Sequence, residues 1–302
     1  MSISRRAVLG SLLVGGGAMA GVSAVGNKLS RVTLTVGGDE TVPVLSADGK
    51  LYHVLKHQME HAPIHEVGNA EVRQGIPGRK WVMVIDLARC AGLRKCSEAC
   101  NAMHFTSRNW IEVFTMKDAN ATAPYYFPKP CFHCDEPPCT KVCPVDATFK
   151  RQDGIVLIDN TRCIGCRFCM AACPYSTRHF NWGDPSQLGE TPSMGYSPER
   201  GFNARKGTVE KCDFCPDMAA AGNLPHCVQA CPNGTIFYGD ENEDAVTNGL
   251  GETLQLSVLL QQRAGYRFME DLGTKPRVYY LPPKDRKFAP PDIKTQEMTP
   301  AT

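Results

Sequence analysis

The chain has 302 residues, a length that suits about two domains. Its formal net charge of +2 gives no support for a nucleic-acid or strongly charged partner surface. Fifteen cysteines are too many for chance and too sparse over this length for a small disulfide scaffold. Their number is odd, and most fall in compact groups, which suits metal better than pairing.

The first elements concern delivery. Ser4-Arg5-Arg6-Ala7-Val8-Leu9 carries paired arginines, and an apolar, glycine-rich run continues from Leu9 to about Val25. Residues 1–30 read as a twin-arginine export signal, an address recognised by a receptor. Ala18-Met19-Ala20 and Val22-Ser23-Ala24 are alternative cleavage sites. The run falls a little short of the ~20 apolar residues that span a bilayer, so cleavage and retention as an anchor both remain open. A periplasmic protein, peripheral to the membrane, is expected.

Residues 31–80 form an N-terminal extension of different character. Val32-Thr-Leu-Thr-Val36 alternates as a strand does, and Gly37-Gly38 closes it. His53, His57, His61 and His65 follow at four-residue intervals. The first three would share one helix face, and Pro63 would break that helix before His65. A surface helix with polar histidines is favoured over a haem or metal contact with a partner.

The cysteines begin after Trp81-Val-Met-Val-Ile-Asp86, a buried-strand pattern. The third group is the most regular: Cys163-Ile-Gly-Cys166-Arg-Phe-Cys169-Met-Ala-Ala-Cys173-Pro174. Its C-x2-C-x2-C-x3-C-P spacing is the bacterial ferredoxin run, in which three thiolates grip one cluster and the fourth ligates another. Gly165 supplies the positive φ of the tight loop. The second group is Cys131, Cys134, Cys139 and Cys143-Pro144. The fourth is Cys212, Cys215, Cys227 and Cys231-Pro232, with a short helix expected between Pro216 and Pro225. The first, Cys90, Cys96 and Cys100, is one short, with Leu93 at the missing position.

Four such groups form an internal repeat. Exchange of the fourth cysteines assigns Cys131, Cys134, Cys139 and Cys173 to one 4Fe-4S cluster and Cys163, Cys166, Cys169 and Cys143 to another. Cys212, Cys215, Cys227 and Cys100 hold a third, leaving Cys90, Cys96 and Cys231 at a site that is either a 3Fe-4S cluster or vacant. In the vacant case a buried Leu93 would fill the volume. Disulfides do not require this repeated spacing, and structural zinc prefers two close ligand pairs.

Several stretches carry a resemblance. Cys131-Phe-His-Cys134-Asp-Glu-Pro-Pro-Cys139, Asp153-Gly-Ile-Val-Leu-Ile-Asp159 through Cys173-Pro174-Tyr175, Gly207-Thr-Val-Glu-Lys211-Cys212-Asp-Phe-Cys215 and Gly273 to Pro283 are the residues concerned. Over about Lys80 to Lys284 the chain resembles the four-cluster iron–sulfur subunit of the dimethyl sulfoxide reductase and polysulfide reductase group. Leu93 departs from that pattern. The arginine pair points to the exported branch, with its periplasmic hydrogenase-type and sulfur-metabolism subunits.

The resemblance implies an α+β fold of two nested ferredoxin-like two-cluster modules with loop insertions. Residues 81–302 carry all four motifs, and 125–180 form the nested module. It implies an electron-transfer subunit, without a catalytic residue of its own, between an integral membrane quinone-interacting subunit and a multihaem cytochrome, molybdopterin or hydrogenase subunit. A soluble periplasmic shuttle ferredoxin is the alternative. A stand-alone iron–sulfur enzyme would need an open iron corner with acid–base residues beside it, and Leu93, being apolar, would exclude water from that corner. The insertion from Asn181 to Lys206 and the long tail read as partner-binding surface.

Overall fold

The computed structural model describes residues 41–45, 51–55, 69–106, 108–117, 123–183, 196–200 and 205–284. The signal segment, the 32–36 strand and His57, His61 and His65 lie outside the described residues. The chain divides into two units, residues 1–42 with 53–63 and residues 43–52 with 64–302, and the second carries every cysteine.

Strands β1 (Thr41–Leu45) and β2 (Leu51–Leu55) form a two-stranded sheet. His53 therefore lies on a strand, not on the helix that four-residue spacing predicts. The β-branched and aromatic members of Leu-Tyr-His-Val-Leu favour a strand over that spacing.

Helix α1 (Asn69–Gln74) precedes the expected domain start at 81, yet Val72 is fully buried in the main core. Val72 thus packs with residues that follow Trp81. Strand β3 (Trp81–Asp86) is buried on both faces from Val82 onward, as its unbroken apolar run requires. Helix α2 (Lys95–His104) follows the first cysteine loop. Strands β4 (Glu112–Met116) and β5 (Tyr125–Lys129) make a hairpin. Helix α3 (Pro138–Lys141), strands β6 (Thr148–Lys150) and β7 (Val156–Ile158), and helix α4 (Phe168–Ala171) build the middle of the chain. Strands β8 (His179–Phe180) and β9 (Val209–Glu210) pair around the insertion. Helix α5 (Pro216–Ala220) is the short helix expected between the cysteines of the fourth group, and α6 (His226–Gln229) carries Cys227.

Strands β10 (Ile236–Asp240), β11 (Ala245–Asn248) and β12 (Thr253–Gln255), helix α7 (Leu256–Gln262), then β13 (Tyr266–Arg267) and β14 (Val278–Leu281) complete the unit. A six-stranded sheet runs in the order β12-β11-β10-β3-β14-β13. Antiparallel pairing of β3 with β10 sets Ile85 opposite Ile236, drawing the ends of the first and fourth cysteine groups together. β14 pairs parallel with β3, and Val278, Tyr280 and Leu281 are fully buried. This part of the tail is sheet interior, not the partner surface its sequence position suggests, because Val-Tyr-Tyr-Leu gains more by covering β3 than by facing water. No described helix is long and apolar enough to cross a membrane.

Candidate iron–sulfur sites

Each cysteine loop has the same backbone device. The residue before the second ligand position has a positive φ in all four: Gly92 71°, His133 43°, Gly165 71° and Phe214 67°. This left-handed turn lets the chain double back so that cysteines three residues apart face one point. Glycine adopts it without strain, whereas His133 and Phe214 hold it at a cost of about 1–3 kcal/mol. Their rings stack with centroids 3.8 Å apart, and both His133 nitrogens are engaged. Nδ1 accepts from the Val156 amide at 3.0 Å, so Nε2 carries the proton and donates to the Cys212 carbonyl at 3.0 Å. Burial holds this imidazole neutral by lowering its pKa.

In each group a short helix carries the third ligand position, and the last cysteine follows four residues later. Cys96 and Cys100 lie on α2; Cys139, Cys169 and Cys227 lie on α3, α4 and α6, with Cys143, Cys173 and Cys231 just beyond. The last cysteine of a run is fixed by the chain that follows it. The amide of Ala147 donates to Cys143 Sγ at 3.2 Å, and that of Thr235 to Cys231 Sγ at 3.3 Å.

The loops and helices gather the thiols into four sets. In site A, Cys90, Cys96 and Cys231 lie close enough for each thiol's charge to act on the next. In site B, Cys100, Cys212, Cys215 and Cys227 line one cavity of about 280 Å³. In site C, Cys131, Cys134, Cys139 and Cys173 line a cavity of about 320 Å³. In site D, Cys143, Cys163, Cys166 and Cys169 line another of about 320 Å³. Thiols packed this way resist ionisation. Burial first, and then the neighbouring thiols, push Cys96 up to about 11 and Cys134 up to about 12. Burial, followed by the Asp213 charge, pushes Cys212 up to about 12. A metal cation reverses that penalty, since a coordinating thiol is deprotonated outright. All fifteen cysteines are free of disulfides. Four soft donors converging on one cavity fit an iron–sulfur cluster.

The sites form a sequence. Sites A and B share α2 through Cys96 and Cys100, and α6 with its following turn through Cys227 and Cys231. Site B meets site C through the stacked Phe214 and His133, and the Cys131 and Cys212 charges interact. Sites C and D share α3 with its turn through Cys139 and Cys143, and α4 with its turn through Cys169 and Cys173.

Leu93 is 53% exposed, which corrects the expectation of a buried side chain filling the missing ligand's place. The backbone at Leu93 is a ligand loop in conformation: Gly92 matches Gly165 at φ 71°, and Arg94 at 57° matches Arg167 at 64°. The equivalent position in the third loop is Cys166, which lines site D.

Sequence reasoning missed His104, Asp213 and Arg178. His104 Nδ1 bonds the Arg200 carbonyl at 2.8 Å, which assigns the proton to that nitrogen, and its Nε2 lies 3.6 Å from Cys215 Sγ. His104, Asp213 and Cys215 make a buried group whose ligand atoms lie within 4.8 Å of one another. Only the fold brings residues 104 and 215 together, so no spacing signal existed for them. The insertion is anchored at its start by Asn181, which donates to Glu210. In its last part Arg205 donates to the Asn160 carbonyl, and Glu199 pairs with the buried Arg151. Trp182, near its start, is 61% exposed beside Arg167.

Family models described as 4Fe-4S dicluster domains match residues 122–187 and 155–232. The iron-sulfur cluster-binding subunit of menaquinone reductase from Nitratidesulfovibrio vulgaris is 36% identical over 235 residues, covering 67% of this chain and 88% of that protein. The iron-sulfur subunit of the arsenate respiratory reductase of a Shewanella species is 33% identical over 232 residues, covering 66% and 94%. The electron transfer subunit of thiosulfate reductase from Salmonella typhi is 32% identical over 192 residues, covering 61% and 87%.

Proposed function

This chain belongs to the family of iron–sulfur electron-transfer subunits of dimethyl sulfoxide-, tetrathionate- and thiosulfate-type reductases, and from that premise we propose that it serves a periplasm-facing oxidoreductase complex. The observation that carries this reading is the succession of four thiol sets, each bridged to the next by shared helices or stacked rings. When bound, the clusters supply one-electron redox chemistry.

The chain's own residues hold and insulate. Sites B, C and D are assigned 4Fe-4S clusters, each on the four cysteines gathered there, and site A a 3Fe-4S cluster on Cys90, Cys96 and Cys231. We read the modules as nested, with sites C and D inside the chain path that closes sites A and B through β3 and β10. Site A stands at one end of the succession and site D at the other. One end would face a quinone-interacting integral membrane subunit. The other would face a molybdopterin, hydrogenase or multihaem subunit, and the exported hydrogenase-type or sulfur-metabolism branch suits the arginine pair. Arg5 and Arg6 support delivery by the twin-arginine route.

Membrane fractionation of the native host tests this. The chain should sediment with membranes, be protected from protease added on the cytoplasmic side, and co-purify with an integral membrane subunit. Changing Arg5 and Arg6 together to Lys should leave it in the cytoplasm. Recovery of the exported chain alone from the soluble periplasm would favour the shuttle ferredoxin instead.

A further inference from the structure

Arg178 stands five residues beyond Cys173 and is only 4% exposed. A guanidinium this deep is costly unless paired, because it has lost its water and stays ionised. Arg151 and Arg277 are equally buried, and each pairs with two carboxylates: Asp153 and Glu199 for one, Asp135 and Glu241 for the other. Among the described residues, no carboxylate lies in ion-pair contact with Arg178. Its Nη2 donates instead to Cys139 Sγ at 2.8 Å and to Thr148 Oγ1 at 2.9 Å. Its Nη1 is buried and makes no hydrogen bond among the described residues, while its charge also acts on the Cys169 thiol.

Thiolates are the anions available to this cation. Burial works against the charged guanidinium, while Cys139, Cys169, Cys131 and Cys173 favour it. Three of those cysteines belong to site C and Cys169 to site D, so one fixed charge acts on both sets. The buried arginine makes sense only if these cysteines carry negative charge, as they do when they hold a metal.

We propose that Arg178 is the shared counter-cation of sites C and D, raising the reduction potentials of the clusters at both, and at site C more. This rests on the ligand assignment under Proposed function. Adding one electron adds one negative charge, which a fixed positive charge stabilises strongly in a dry interior. The direct, charge-assisted bond to Cys139 makes the effect larger at site C. Arg178 is a positioning and tuning residue and does not itself carry the electron.

The experiment uses the full chain with its clusters assembled. Iron is counted, and the midpoint of each cluster is followed by electron paramagnetic resonance during redox titration, with Cys139→Ser and Cys169→Ser assigning the signals of sites C and D. Arg178→Gln should keep the iron content while lowering both midpoints, site C more, with sites A and B unmoved. Arg178→Lys, which keeps the charge, should retain most of the wild-type values. Thr148→Val removes the second acceptor of Nη2, and because Thr148 also lines site D it should shift sites C and D and leave A and B unmoved. Unchanged midpoints in a fully loaded Arg178→Gln, or equal shifts at all four sites, would overturn the proposal. Where Arg178→Gln fails to assemble, Thr148→Val decides: a shift at sites C and D with A and B unmoved supports the proposal, and none overturns it. Wild-type chain lacking iron at sites C and D overturns the ligand assignment itself, a failure visible before any substitution.

Discussion

At position 93 a ligand loop presents a hydrocarbon in place of a thiol. Gly92 and Arg94 keep the left-handed turns that Gly165 and Arg167 adopt around Cys166, so the substitution leaves the loop conformation intact. The remaining thiols keep their fixings: the Thr235 amide on Cys231, and α2 beneath Cys96. An iron corner requires a soft ligand, and leucine offers none. The expected content is therefore about fifteen irons per chain, three cubanes and one three-iron cluster, and the oxidised protein should give a three-iron paramagnetic signal. Leu93→Cys should abolish that signal and raise the count to about sixteen irons, four cubanes in all. Because the side chain is exposed, this replacement requires no repacking, and its effect on stability should stay within about 0.5 kcal/mol before the cluster is counted. About twelve irons and no three-iron signal would establish a vacant site A.

Of the two cysteine loops with a glycine before the second ligand position, the third loop is the more tightly built. A Cβ on Gly165 would sit 2.1 Å from the backbone oxygen of Gly207, and φ is 71° there. Gly165→Ala therefore meets both a strained conformation and a backbone collision that cannot be relieved by a rotamer change. The turn should open, and about four irons, the content of one cubane, should be lost from site D. Gly207 provides the comparison. Its φ is 82°, but nothing lies within 4 Å of its Cβ position. Gly207→Ala should cost only about 1 kcal/mol of conformational strain and leave the iron count unchanged. Iron analysis of the two variants separates them. Equal loss in both would mean that the loop tolerates no alanine for reasons other than the Gly207 contact.

For the whole molecule, the clusters and the hydrophobic core share one interior. The main core contains Cys96, Cys100, Cys131, Cys134, Cys212 and Cys227 among its buried residues, and a smaller cluster contains Cys139 and Cys169. The other face of the large sheet buries Val82, Val84, Phe237, Val246, Leu256, Leu259 and Leu281 without any cysteine. Helices α3, α4 and α6 have four residues each, far below the length at which an isolated helix persists. Their order depends on what their cysteines hold, so metal binding and folding are linked. Removing iron with a chelator under reducing conditions should abolish the cooperative thermal transition and most of the far-ultraviolet circular dichroism. Retention of the native spectrum with a cooperative melt would reject that linkage.

The sequence by itself determined which thiols could come together. Ligands three residues apart on a loop and four apart on a helix are placed by local backbone geometry, so Cys163 to Cys173 could be read as a unit without the rest of the chain. Exchange of the fourth cysteine follows from the same geometry, since the helix points it away from its own loop. What only the tertiary structure decided lies at long sequence separation. The β3–β10 pairing closes a loop of roughly 150 residues, and no short motif encodes it. β14 enters the interior of the sheet by pairing with the free edge of β3, and Val278, Tyr280 and Leu281 are buried there. The order of the sites follows from the contact of His133 with Phe214, 81 residues later in the chain. The exposure of Leu93 and the burial of Arg178 were equally illegible. A side chain's surroundings are set by which elements pack over it, whereas its backbone conformation is set by its immediate neighbours.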